Sequence, residues 1–294
     1  MPSPFEQPVL VLGATSLVGR FLLPLAAERG LDVVALSRSP ARGGAVRWMQ
    51  ADLAAPDLAS RLPDAPTVLS LSPMWLLPPA LEALQAHGMR RLVAFSSTSR
   101  FTKVDSSEPS ERAVARRLAE AEAATVALCE AHGVGWTLLR PTLIYAEGED
   151  ANVSRLAALI RRWRVLPLSG AGEGLRQPVH AADLAAAALA AAESDAAAGR
   201  AYDLPGGETL SYRAMAERIF EALGMPPRIV SIPPLLWGVG LQLASPLLPG
   251  ATSAMGERMA QDLVFDGEAA ARDFGWAPRP FRPDFGRPVA KRSR

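Results

Sequence analysis

Pro8-Val9-Leu10-Val11-Leu12-Gly13-Ala14-Thr15-Ser16-Leu17-Val18-Gly19 opens as a short apolar run and passes without a spacer into a turn punctuated by glycine. A helical pattern follows at once, from Leu17 to Arg29. A strand that runs into a helix through such a turn is a ready anion site, because the first amides of the helix have no acceptor and its dipole is positive there. Gly13 serves the sharp turn and Gly19 the close packing of helix on strand, while Thr15, Ser16, Leu17 and Val18 bring their backbone to the anion. Ser16 stands where the dinucleotide pattern has its middle glycine; there a serine caps the helix and offers a hydroxyl. The alternative is an ordinary strand-to-helix turn with glycine for geometry alone.

Outward from this turn, apolar runs alternate with helical stretches. The runs are Pro8 to Leu12, Asp32 to Leu36, Val46 to Met49, Thr67 to Leu71, Arg91 to Phe95 and Trp136 to Leu139, and the further helices are Pro78 to His87 and Glu111 to His132. Such alternation predicts an α/β fold, a doubly wound parallel sheet of six strands. After Pro141 the rhythm loosens into helices at Val153 to Arg162, Ala181 to Glu193 and Ser211 to Leu223. One domain over 1–294 is expected, with a cofactor-binding part at 5–165 and a smaller substrate-binding or lid part at 166–294. The apolar stretch Pro233 to Pro249 is bounded by prolines and too short to span a bilayer, so it reads as a buried helix or hydrophobic lid, with a membrane-surface contact as the alternative.

A chain of 294 residues, 49% of them hydrophobic, can bury a large core, and a formal net charge of +1 with dispersed arginines speaks against nucleic acid as the partner. A small molecule is expected instead, and a homodimer is compatible. Cys129 stands alone beside three scattered histidines, so neither a disulfide nor a metal site is expected. The N-terminal stretch has no basic segment before an unbroken apolar run, so no signal peptide and a cytoplasmic location are expected.

The second strand ends in Ser37-Arg38-Ser39, with Arg42 close behind and no acid at its tip. An acid there would hold the ribose hydroxyls of NAD; a guanidinium and two hydroxyls suit a 2′-phosphate, so NADP(H) is expected over NAD(H). Asp52 and Leu53, after the third run, are placed to face the adenine, although a capping aspartate looks the same.

These segments together resemble the short-chain dehydrogenase/reductase superfamily in its extended or atypical branch, of the epimerase/dehydratase type. The likeness rests on the turn Gly13 to Gly19, on Val93-Ala94-Phe95-Ser96-Ser97-Thr98, on Leu139-Arg140-Pro141-Thr142-Leu143-Ile144-Tyr145, on Arg176-Gln177-Pro178-Val179-His180-Ala181-Ala182-Asp183-Leu184, and on the closing Asp262 to Asp266 with Phe274 to Pro278. It implies that Leu71, Ser72, Ser96 and Pro141 line the cofactor at the strand ends, and that Ser97 and Thr98 meet the substrate oxygen. The chain departs from the family where a Tyr-x-x-x-Lys pair exchanges the proton, since the corresponding stretch reads Ser110-Glu111-Arg112-Ala113-Val114-Ala115-Arg116-Arg117. Tyr145 is the candidate to replace that phenol, the alternative and commoner case being a tyrosine that packs against the nicotinamide or lines the pocket. Lys103, Asn152 and Arg176 are candidates to hold the substrate, and Asp183 reads as an N-terminal helix acid. Two functions remain open: an NADP(H)-dependent oxidoreductase or epimerase/dehydratase-like enzyme acting on a carbonyl or nucleotide-sugar compound, and a non-catalytic NADP(H)-binding sensor, assembly factor or structural subunit.

Overall fold

The computed structural model describes residues 6–39, 46–237 and 253–286. Six strands arise where the apolar runs predicted them: β1 (Val9–Leu12), β2 (Val33–Ser37), β3 (Arg47–Gln50), β4 (Thr67–Ser70), β5 (Arg91–Phe95) and β6 (Gly135–Pro141). A seventh, Arg200–Leu204, pairs in parallel with β6. It was not legible as a strand, because Arg200 and Asp203 interrupt its apolar pattern; at the sheet edge those positions stay accessible.

All seven strands are parallel, in the order β3, β2, β1, β4, β5, β6, Arg200–Leu204. The chain begins in the middle with β1, moves outward through β2 and β3, then returns to lay β4 on the other side of β1. Where the direction of winding reverses, the connections leave in opposite senses and a crevice opens beyond the carboxyl ends of β1 and β4. The glycine turn lies there.

Alternation along each strand divides the core between two faces. Val9 and Val11 pack under α1 (Leu17–Glu28), while Leu10 and Leu12 face α2 (Leu81–Ala86). The predicted helix at Pro78 to His87 is split, with a tight 3₁₀ turn over Pro78–Ala80 ahead of α2, since Pro78 and Pro79 have no amide to donate. Beyond β5 come the short α3 (Ser99–Thr102) and the long α4 (Pro109–Ala131), which starts two residues earlier than predicted because Pro109 fits the first helical turn. After β6 follow α5 (Val153–Trp163), α6 (Ala181–Glu193) and α7 (Tyr212–Ala222). The alanine-rich α6 joins α1 on the first face.

A third apolar cluster, built from α5, α7 and the strand Leu166–Ser169, lies apart from the two sheet faces. That strand pairs with Ile229–Ile232 to form a small two-stranded sheet. This smaller lobe is the wall against which a cavity opens. Among the described residues no helix is long and apolar enough to cross a membrane. Of the apolar stretch 233–249 only 233–237 are described; the rest, and Arg42, lie outside the described residues.

Candidate functional site

The turn after β1 is held by contacts that tolerate no side chain. Gly13 has φ +68°, and a Cβ on it would stand 2.7 Å from the backbone nitrogen of Ser72. A Cβ on Gly19 would stand 2.2 Å from the carbonyl oxygen of Ala14. Gly13 thus lets the β1 and β4 turns touch, and Gly19 lets α1 sit down on its own entry strand. Ser16 is the N-cap of α1, its hydroxyl accepting the Gly19 amide at 3.2 Å, so its Cβ does not bar the crevice. The amides of Leu17 and Val18 have no acceptor among the described residues. Two open donors on a helix N-terminus at the switch point of the sheet are the donor set that a dinucleotide diphosphate requires.

At the neighbouring strand end, Ser37 is buried and its hydroxyl lies 3.1 Å from that of Thr15, tying the β2 tip to the glycine turn. The Ser39 amide donates to the same Ser37 oxygen, and Gln50 holds the Arg38 carbonyl. The backbone of the tip is therefore fixed while the Arg38 side chain is exposed, with no ion pair among the described residues. Asp52 accepts the Ala54 amide in a local turn, and Leu53 is buried in the second core face. Ser72 is buried with its hydroxyl 2.9 Å from that of Ser70, so it closes the floor behind Gly13.

Beyond the ends of β5 and β6 a cavity of about 730 Å³ opens, within the range of small-molecule sites. It brings together the candidates Ser97, Thr98, Lys103, Asn152 and Arg176. Their hydroxyls and charges differ in availability. Thr98 donates to the Pro141 carbonyl at 3.1 Å and is committed. The Ser97 oxygen accepts the Ser99 amide at 3.1 Å, which orients the hydroxyl and leaves its proton to give. Asn152 donates to the Ile144 carbonyl. Lys103 lies 3.4 Å from Glu111. Arg176, only 4% exposed, donates to the carbonyls of Leu175, Gln261 and Arg258, so this guanidinium stitches the lobe to the closing segment.

The structure does not bring Tyr145 into this cavity. Its ring is 1% exposed and lies edge-on to His180 and Phe281, both at 5.0 Å. Burial, with Glu147 adding to it, pushes its phenol far above the ordinary tyrosine value. The proton-donor role suggested by its position in sequence is thus corrected to a core role, since the ring is packed in the third apolar cluster and does not line the cavity. Asp183, at the start of α6, pairs with Arg279.

Two features were missed from sequence. Glu111, on the first turn of α4, reaches the cavity and binds Ser106, Lys103 and Arg258. Burial opposes its charge, but these partners hold the carboxyl below the usual glutamate value. Behind the cavity, Glu122 of α4 is 2% exposed and takes hydrogen bonds from Ser96, Arg100 and Arg140. Ser96, expected at the cofactor, is thus turned into this buried ion cluster. The cluster fixes the loop that presents Ser97. A glutamate in a helical run of Ala, Glu and Arg carries no sequence sign of such a role.

Residues 79–204 match the profile of the NAD dependent epimerase/dehydratase family. The chain is 30% identical over 226 residues to a 2-alkyl-3-oxoalkanoate reductase of Stenotrophomonas maltophilia, covering 68% of this chain and 67% of that one. It is 31% identical over 155 residues to the mitochondrial NADH dehydrogenase [ubiquinone] 1 alpha subcomplex subunit 9 of Arabidopsis thaliana, covering 52% of this chain but only 36% of that protein. Among solved structures it is similar to UDP-glucuronic acid 4-epimerase of Bacillus cereus, in complex with UDP-glucuronic acid and NAD, with a TM-score of 0.71 at 15% identity over 93% of this chain and 94% of that one.

Proposed function

Because the chain belongs to the NAD-dependent epimerase/dehydratase family, we propose that it is an NADP(H)-dependent oxidoreductase acting on a small carbonyl compound held in the cavity beyond Ser97. The observation that carries this reading is the glycine turn with the Leu17 and Val18 amides, which have no acceptor among the described residues, standing beside the exposed Arg38, which has no ion pair among them.

A bound nicotinamide supplies or accepts the hydride. This chain's own residues do the binding and orienting. The start of α1 faces the diphosphate, and Arg38 faces the 2′-phosphate with a charge-assisted contact of about 1.5 to 3 kcal/mol. Ser97 donates a hydrogen bond to the substrate carbonyl oxygen, where negative charge develops, and keeps its proton. Glu111 is held ionised and Tyr145 is buried, so neither supplies the proton that completes reduction, which is drawn from water at the cavity mouth or from the Lys103 ammonium that water recharges.

The test is a fluorescence titration of the purified protein with NADPH and NADH, followed by NADPH oxidation against a panel of ketones and oxoacids. NADPH is expected to bind at least about tenfold more tightly than NADH, and some members of the panel to be reduced. Failure of both dinucleotides to bind overturns the reading. A non-catalytic NADP(H)-binding subunit is the second reading, favoured by the burial of Tyr145. Tight NADPH binding with no oxidation across the panel decides for it.

A further inference from the structure

The cavity has two chemically distinct ends. At one, Lys103 and Arg258 share a single carboxylate, Glu111, and Arg176 lies beside them, its guanidinium bonded to the Arg258 carbonyl. Arg176 is buried among backbone carbonyls, with no carboxylate within ion-pair distance among the described residues. A buried cation compensated by neutral groups alone is costly, and an anion arriving beside it lowers that cost. At the other end, α5 and the strand that follows it line the wall with Leu159, Trp163, Val165 and Pro167. Trp163 is 40% exposed and the other three are half-buried, so a mainly apolar surface, with Arg155 toward the start of the same helix, faces the cavity without being covered by the protein's own core. Covering it releases water at a gain proportional to its area. The uracil and hexose of a nucleotide sugar, with polar groups on every edge, would lose their water against Leu159, Trp163, Val165 and Pro167 without gaining hydrogen bonds from them.

Resting on the reading of this cavity as the substrate site, we infer that its ligand is an anionic amphiphile, with the head group at Lys103 and Arg258 and a hydrocarbon tail along the α5 wall. The reacting carbonyl, near the head, falls beside Ser97 on the same rim.

The inference is tested by calorimetric titration of the full chain with decanoate, decanol, butanoate and UDP-glucose, each below any aggregation threshold, with NADPH titrated on the same preparation. Decanoate is expected to bind saturably at one site, about tenfold or more tighter than decanol or butanoate, with UDP-glucose weaker than all. Leu159→Gln and Trp163→Gln are each expected to weaken decanoate several-fold while butanoate is unchanged, and Lys103→Gln to remove about tenfold of the preference for decanoate over decanol. Val230→Gln, an exposed apolar site outside the cavity, is expected to change nothing. Melting curves check that each variant is folded. Equal binding of decanoate and decanol, insensitivity to both α5 variants, or UDP-glucose binding more tightly than decanoate overturns the inference. NADPH binding with no decanoate binding removes this inference alone, whereas decanoate binding without NADPH removes the cofactor reading and leaves the ligand class standing.

Discussion

A methyl group added at Gly19 would meet the carbonyl oxygen of Ala14 at 2.2 Å and its carbonyl carbon at 2.8 Å, and this is backbone that cannot swing aside as a flexible side chain can. Gly19→Ala is therefore expected to cost about 1 to 3 kcal/mol of stability and to abolish dinucleotide binding, read by melting temperature and by NADPH titration. Arg38 presents the opposite case, because its side chain is exposed and makes no ion pair among the described residues. Arg38→Asp should leave the melting temperature unchanged and bring the NADPH to NADH affinity ratio down by about tenfold or more; an unchanged ratio defeats the assignment of the 2′-phosphate. Glu122 differs again, since its removal strands two arginines behind the cavity. Glu122→Ala should destabilise the protein by about 3 to 5 kcal/mol in chemical denaturation, a cost that comes mainly from Arg100, left without its carboxylate, and from Arg140, left with Asp203 alone at 3.8 Å. Arg38 was legible in the sequence because a strand tip is a local feature. Glu122 was not, because its partners come from β5, α3 and β6.

Among the helices, α5 ends in an unusual way. Arg164 closes it with φ 57° and ψ 14°, in the left-handed region where a Cβ crowds the backbone, and its amide still bonds the Ile160 carbonyl at 2.8 Å. Glycine adopts this conformation freely. Arg164→Gly is expected to stabilise the protein by up to about 1 kcal/mol, seen as a rise in melting temperature of about 2 °C. Most elements could be read from the chain because caps, prolines and periodicity act within a few residues; Ser16 and Ser211 cap α1 and α7 at the places where their helical patterns begin. The edge strand Arg200–Leu204 could not, since its pairing with β6 rather than its composition makes it a strand.

For the molecule as a whole, Cys129 reports on global integrity. It is buried against the second face of the sheet, and burial, with Glu130 adding to it, pushes its thiol up to about 11. The native thiol should resist a disulfide reagent at mildly alkaline pH and react only as fast as the chain unfolds. Its linkage has a definite sign: the unfolded chain loses this proton near 9.0, so the stability that the buried neutral thiol contributes is whole below that pH and is lost between about 9 and 11. Labelling of the folded protein much faster than unfolding would show that α4 opens locally. By itself, the sequence determined the strand-to-helix turn, the parallel alternating architecture and the composition of the β2 tip, because steric and hydrogen-bond rules at those places act between near neighbours. Tertiary packing alone decided that Tyr145 is core, that Ser97 rather than Thr98 keeps a proton to give, and that Lys103, Glu111 and Arg258 meet at one end of an apolar cavity. Side chains separated by up to 155 positions converge only when helices and sheet are pressed together, and no local period records which of them will face the same space.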